Sequence, residues 1–146
     1  MNKTVRGTQA GGRRPRVVIS EAHLEHLEAL AEGAYKRNPD LADRFMEELG
    51  RARIVPAAKL PKNVVTIGRR VTYLDQTTGT ETTVTLSRPE DADISSGRVS
   101  ILTPIGVALI GLAEGASLAW QTRGGETRRL KVLAVGEHEA AGDPLN

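Results

Sequence analysis

The chain has no cysteine and very few aromatic residues, with one Trp, two Tyr and one Phe among 146 residues. Without cysteine it cannot form disulfides, thiolate nucleophiles, zinc ribbons or cysteine-ligated iron–sulfur clusters. Because aromatic residues make up only 3% of the composition, the core has to be built from aliphatic side chains. The length suits one compact domain from which a hairpin or arm can project.

The sequence also lacks the long apolar segment, about 20 residues, that a membrane-spanning helix requires. Lys3 and Arg6 make the N-terminus basic, but no apolar segment follows them to form a secretory signal. Absence of cysteine agrees with a reducing compartment. We therefore expect a cytoplasmic protein that does not enter membranes.

Residues 1–16 have no acidic side chain and carry five basic ones: Lys3, Arg6, Arg13, Arg14 and Arg16. Subtracting these five charges from the net charge of +2 leaves −3 for the rest of the chain. This composition predicts a disordered basic tail over residues 1–16, which is either simply solvated or in weak contact with nucleic acid. The negative charge elsewhere argues against a domain dedicated to binding phosphates.

Residues 17–56 predict a short antiparallel helical hairpin. Ser20 is a suitable N-cap for a first helix, whose apolar residues follow at heptad spacing: Leu24, Leu27, Ala31 and Ala34. Asn38 and Pro39 open a second helix with the same spacing, at Ala42, Phe45, Leu49 and Ala52. Two narrow apolar stripes on neighbouring helices predict a coiled coil, and Pro56 marks its end.

Residues 57–63 form a linker, after which the pattern changes to short strands of alternating β-branched and apolar residues. Glycines separate these strands as turns. Residues 104–112 depart from the alternation and have helical spacing, which predicts one short helix over the sheet. The predicted fold is therefore α+β: the hairpin, an antiparallel β-sheet domain over residues 64–137, and a loose tail over residues 138–146.

The segment 97–112 carries a specific motif, a strand followed by Thr-Pro-Ile-Gly-Val-Ala-Leu-Ile-Gly. With Glu114-Gly115, Trp120 and Gly124-Gly125 after it, this segment resembles the C-terminal domain of the Gre transcript-cleavage factors. The short hairpin in front and the Pro-Glu-Asp-Ala-Asp stretch at 89–93 make the chain similar to the Rnk family, the regulators of nucleoside diphosphate kinase. The resemblance covers about residues 16 to 143.

This resemblance implies an FKBP-like sheet domain and a non-enzymatic regulator of transcription elongation. Such a protein would bind RNA polymerase at the rim of its secondary channel and compete with Gre factors. Carried over by position, the docking residues are Asp93, Thr103, Pro104 and Ile105. The residues alone allow a purely structural interpretation with equal weight: Ile105 is a core residue, and Asp93 is a solvated turn residue. We expect a monomer that needs no cofactor.

The hairpin tip bears on the mechanism. In Gre factors a longer coiled coil presents two carboxylates that hold a catalytic magnesium, and Asp40-Leu41-Ala42-Asp43 resembles their Asp-Leu-x-Glu setting. Asp40 and Asp43 are thus candidate metal ligands, although both also complement the helix dipole. A first helix over residues 21–34 is only about 20 Å long. We therefore expect no stimulation of cleavage, the alternative being a true cleavage factor.

Two other chemistries have little support in the sequence. His23 and His26 are three residues apart on the first helix, but no third metal ligand stands at a useful spacing, so we expect solvated histidines. An FKBP-like fold also allows peptidyl-prolyl isomerase activity, which needs a pocket of several aromatic rings. The chain has too few aromatic residues for such a pocket, and a fold alone does not confer an activity.

Overall fold

The structure is a computed structural model that describes residues 14–122 and 124–138. Two helices, α1 (Glu21–Ala34) and α2 (Pro39–Arg51), pack against each other and form the helix pair. Ser20 caps α1, because its Oγ accepts a hydrogen bond of 3.1 Å from the Ala22 N–H. Asn38 caps α2 by accepting one of 3.2 Å from the Leu41 N–H. The predicted start of each helix and the predicted end of α1 are confirmed.

Short strands flank the helix pair, which the sequence analysis did not predict. Strand β1 (Val18–Ser20) precedes α1, and β2 (Arg53–Val55) follows α2. The two strands pair in parallel, with Val18 opposite Arg53. Because each strand has only three residues, neither shows a recognisable alternation. Their pairing brings the beginning and the end of the helix pair side by side.

The base of the helix pair is joined directly to the C-terminal half of the chain. The Val18 N–H donates a hydrogen bond of 3.0 Å to the Gly111 carbonyl. Gly111 has a φ of +81°, and a Cβ at this position would overlap the Val17 side chain and approach the Val18 backbone. Only glycine satisfies both the left-handed conformation and the close approach.

The remaining strands form one five-stranded sheet in the order β5-β4-β3-β7-β6. Their bounds are β3 Arg69–Asp75, β4 Thr80–Ser87, β5 Arg98–Ser100, β6 Ser117–Gln121 and β7 Thr127–His138. All neighbours are antiparallel except β4 and β5, which pair in parallel. The expected wholly antiparallel sheet is therefore wrong at this edge. The connection over residues 88–97 contains two 3₁₀ turns and is long enough to return the chain for a parallel strand.

One aliphatic core joins the two halves of the molecule. It is lined by fully buried side chains of the helix pair, the sheet and the short helix α3 (Pro104–Leu109), including Leu27, Phe45, Val71, Leu86 and Leu109. Gly106 lets α3 approach the end of β5, since a Cβ there would lie 2.5 Å from the Ser100 carbonyl oxygen. Phe45 is completely buried. The helix pair thus shares one core with the sheet, and α2 packs against α3.

The described residues include the inner ends of both predicted tails, residues 14–16 and residue 138. Arg14 is fixed by ion pairs of 3.5 Å to Glu47 and 3.7 Å to Glu48, although the composition assigned it to a disordered segment. Strand β7 extends to His138, which pairs with Arg69. The rest of both predicted tails, residues 1–13 and 139–146, lies outside the described residues. Within the described ranges, no helix is long and apolar enough to cross a membrane.

Candidate functional site

The corner between β5 and α3 is held rigid by Thr103. Its Oγ1 donates a hydrogen bond of 2.8 Å to the Ser100 carbonyl and accepts one of 3.0 Å from the Gly106 N–H. Pro104 occupies the first helical position, where its missing N–H costs nothing. Ile105 is half-buried and packs against the core. Three of the four predicted docking residues, Thr103, Pro104 and Ile105, therefore lie at this corner. One side of the Ile105 side chain packs on the core, and the other is exposed to solvent.

Asp93 shapes the turn that precedes β5. Its carboxylate accepts hydrogen bonds from the Ser95 hydroxyl at 2.6 Å, the Ser96 hydroxyl at 2.8 Å and the Ser95 N–H at 3.2 Å. Arg98 adds an ion pair of 3.6 Å. The serine hydroxyl bonds, assisted by Arg98, hold the pKa of Asp93 below its ordinary value. Asp93 is thus ionised at neutral pH and caps the 3₁₀ turn Ile94–Ser96.

Ile94 presents an apolar side chain on this turn and was missed by the sequence analysis. Its side chain is 86% exposed, about twice the exposure of any other large exposed hydrophobic residue in the described part of the chain. The turn is closed behind it, because the Gly97 N–H donates a hydrogen bond of 2.9 Å to the Ile94 carbonyl. An isolated Ile in a loop has no periodicity to reveal its exposure. Its only sequence signal is its place directly after a capping Asp.

The Asp93 turn and the Thr103 corner lie at the two ends of β5. The Asp93 N–H donates a hydrogen bond to the Arg98 carbonyl at one end, and Thr103 is bonded to Ser100 at the other. Two residues of strand separate these ends by about 7 Å. Because β5 is an edge strand, the turn and the corner flank one edge of the sheet. We name their five residues the β5 edge surface: Asp93, Ile94, Thr103, Pro104 and Ile105.

At the other candidate site, the two tip carboxylates have different surroundings. The Tyr35 hydroxyl donates a hydrogen bond of 2.7 Å to Asp43 Oδ1, and this bond is the main reason that the pKa of Tyr35 is raised. Asp40 is exposed at the start of α2. Asp43 is therefore already engaged by a side chain from the preceding loop, a role for Tyr35 that sequence spacing did not suggest.

A groove of about 280 Å³ separates the start of α2 from the C-terminal half of the chain. The helix pair contributes Asn38, Asp40, Leu41 and Arg44 to its walls. The facing wall includes Pro104 and Val107 of α3 and Gln121 of β6. Asp40 and Pro104, which belong to separate predicted sites, therefore line the same groove. The tip of the helix pair lies beside α3.

The two histidines of α1 differ from each other. His23 Nδ1 lies 3.2 Å from the hydroxyl of the buried Thr66, so the expectation of a solvated side chain is wrong for His23. His26 is exposed, as expected. In the part of the chain that the structure describes, no group of three or more His, Asp and Glu side chains is arranged to hold a metal ion.

Comparison with protein-family models divides the chain into two matching regions. Residues 15–55 match the model described as Rnk N-terminus. Residues 60–137 match the model described as transcription elongation factor, GreA/GreB, C-terminal. The second region contains the whole β5 edge surface, and the first contains both tip carboxylates.

Curated and solved relatives agree with this division. The regulator of nucleoside diphosphate kinase of Escherichia coli K12 is 33% identical over 133 residues, covering 90% of this chain and 98% of that protein. The transcription elongation factor GreA of Sinorhizobium medicae is 31% identical over 130 residues, covering 84% of this chain and 82% of that protein.

Among solved structures, the transcription elongation factor GreA/GreB from Nitrosomonas europaea superimposes with a TM-score of 0.66 at 34% identity, covering 85% of this chain and all of that one. The fold is thus Gre-like, as the sequence motif predicted. The chain belongs to the family of the regulator of nucleoside diphosphate kinase, with an Rnk N-terminal region followed by a GreA/GreB-type C-terminal region.

Proposed function

We propose that the protein is a non-enzymatic, monomeric regulator of transcription that binds RNA polymerase through the β5 edge surface. Its docking place is the rim of the secondary channel, where it competes with Gre factors. Relatives named as transcription elongation factors and as a regulator support the class. As part of the same proposal, the sheet is of FKBP-like type and the helices of the pair run antiparallel.

The observation that carries this proposal is the rigid apolar edge inside the GreA/GreB-type region. Ile94 is exposed on a turn that Asp93 fixes, and Pro104 stands on a corner that Thr103 fixes. An interface that buries an exposed Ile side chain gains about 1.5 to 3 kcal/mol, and a fixed turn loses little entropy on binding. The edge therefore has the rigidity and the apolar contact that a docking surface needs.

The geometry of the tip supports docking without cleavage. A carboxylate that binds magnesium must approach to about 2.0 to 2.1 Å of the ion. Helix α1 has 14 residues, which gives a length of about 21 Å. Asp43 is bonded to Tyr35, and Asp40 shares a groove with Pro104 on the docking surface itself. A tip that stays beside the docking surface blocks the channel mouth and does not reach the catalytic centre.

Binding is tested by gel filtration of the full chain with core RNA polymerase, and by displacement with a Gre factor. Ile94→Asp should lower the affinity by about tenfold or more, because an unpaired charge enters the interface. Leu133→Asp is the matched control, since Leu133 is an exposed apolar residue of β7 outside this surface. Ile94→Asp should melt like the wild type, and Leu133→Asp, at a residue that is 36% exposed, should still be folded at the temperature of the binding assay. Unchanged binding by Ile94→Asp, or equal losses in the two variants, would refute docking through this edge.

Ile105→Asp is a second test of docking through the β5 edge surface. If the outward face of Ile105 contacts the polymerase, the folded variant should lose binding. If the variant unfolds, Ile105 is needed in the core; a folded variant that still binds the polymerase would refute a docking role for this residue.

The mechanism is tested with arrested transcription complexes. The wild-type protein should leave the transcripts at full length, and Asp40→Ala with Asp43→Ala should bind the polymerase as the wild type does. Shortened transcripts that appear with the wild type and vanish with the double variant would identify a cleavage factor and overturn this mechanism.

A further inference from the structure

Four arginines meet at the base of the helix pair, in a cleft of about 580 Å³ that Val17 and Ala52 complete. Arg14 and Arg16 precede β1, Arg51 ends α2 and Arg53 begins β2. Parallel pairing of β1 with β2 places these two distant segments side by side, as shown by the Arg53 N–H, which donates a hydrogen bond of 2.8 Å to the Val17 carbonyl. We call this feature the arginine cleft.

One buried carboxylate orients two of these guanidinium groups. Glu48 is only 5% exposed, and its Oε1 accepts from Arg51 Nε at 2.9 Å and lies 2.9 Å from Arg51 Nη2. Its Oε2 lies 3.7 Å from Arg14 Nη1. Glu47 lies 3.5 Å from Arg14 as well, so two carboxylates hold the guanidinium groups of Arg14 and Arg51 in place.

The other two arginines remain available. No carboxylate among residues 14–122 and 124–138 lies within ion-pair distance of Arg16 or Arg53. Even with Glu47 beside Arg14, the cleft has four positive and two negative groups. Without Lys3, Arg6 and Arg13 the net charge of +2 becomes −1 for residues 14–146, and without these four arginines and two glutamates it becomes −3. Positive charge is therefore concentrated here in a chain that is otherwise net negative.

The chemistry of the cleft selects its ligand. Guanidinium groups bind phosphate through paired hydrogen bonds, and they keep their charge at every physiological pH. Single-stranded nucleic acids are usually bound by aromatic rings that stack on the bases, but no aromatic residue is among the described residues that line this cleft. We propose that the arginine cleft binds the phosphate backbone of duplex DNA without reading its sequence. This inference does not depend on polymerase docking.

Fluorescence anisotropy of the full chain with a labelled duplex of about 20 base pairs tests the proposal, with the slope of log K against log salt as a second readout. Arg16→Gln with Arg53→Gln should weaken binding by about tenfold or more and reduce the slope by about two, because each lost phosphate contact removes about 0.9. Arg70→Gln with Arg129→Gln is the matched control. These exposed arginines carry the same charge and do not line the cleft.

The control pair should keep nearly wild-type affinity, and both double variants should melt like the wild type. Arg16→Lys with Arg53→Lys should retain the salt slope, because it retains the charges. Equal weakening by the cleft and control variants would show attraction by net charge alone and overturn the proposal. Tighter binding of single-stranded DNA or RNA than of the duplex, or absence of binding at low salt, would overturn it as well.

Discussion

The base and the tip of the helix pair are held by different kinds of contact. At the base, Val17 and Ile19 are each 3% exposed, and Gly111 touches the chain from the C-terminal half. At the tip, Tyr35 and Asp43 form an exposed hydrogen bond beside an open groove. Burial of apolar area stabilises the base, whereas water competes for the bond at the tip. One helix pair therefore combines a fixed end with a weakly held end.

The strongest test of the fixed end is Phe45→Ala. Phe45 is completely buried in the core that α2 shares with the sheet, so its truncation should cost about 3 to 5 kcal/mol of unfolding free energy. Urea unfolding followed by helix circular dichroism and by the fluorescence of Trp120 in β6 should give one coincident transition at a lower midpoint. Two separate transitions, with the Trp120 signal unchanged, would show that the helix pair has no part in the common core.

Gly111→Ala tests the contact between the base of the helix pair and the C-terminal half of the chain. The variant combines a left-handed residue with overlap on Val17, and we expect a loss of about 2 to 4 kcal/mol in urea unfolding. Gly79→Ala is the control, because Gly79 has a similar φ of +79° and nothing within 4 Å of the added Cβ. That control should lose only the strain, about 1 to 2 kcal/mol. Equal losses would mean that the contact between Gly111 and Val17 adds nothing.

Replacing the buried carboxylate of Asp75 in β3 should have an intermediate effect on the stability of the fold. Burial alone would raise the pKa of Asp75, but hydrogen bonds from Arg128 and from the Thr77 and Thr78 N–H groups outweigh it and hold the pKa below its ordinary value. A lowered folded-state pKa stabilises the fold above the unfolded value of about 3.9 and loses this effect as the pH falls through the folded value.

Asp75→Asn should therefore lower the unfolding midpoint at neutral pH, and its difference from the wild type should shrink below about pH 4. Urea unfolding at several pH values measures this. A difference that stays constant into strong acid would show that the ionised carboxylate is not what stabilises the sheet.

The smallest effect is expected at the weakly held end. Tyr35→Phe removes the hydroxyl that donates to Asp43, but both side chains are exposed and water replaces the bond. The urea midpoint should stay within experimental error of the wild type. A loss comparable with that of Gly111→Ala would contradict the comparison and show that the tip is anchored as firmly as the base.

Local sequence signals were enough to predict the main helices and strands and the family. Capping residues act within four positions along the chain, so Ser20, Asn38 and Pro39 were sufficient to place both helix starts. The alternation of β-branched and apolar residues predicted the five strands of the main sheet. The motif after Gly97 predicted a Gre-type region. These signals need no knowledge of distant contacts.

Which distant segments come into contact could not be predicted from the sequence and is visible in the folded chain alone. The parallel direction of β5, the pairing of β1 with β2 and the groove between Asp40 and Pro104 all join residues far apart in sequence. The exposure of Ile94 and the meeting of Arg14 with Arg51 have the same origin. Such features depend on how packed elements share one core, and the local pattern of three to five residues contains no information about a partner that lies thirteen or more positions away.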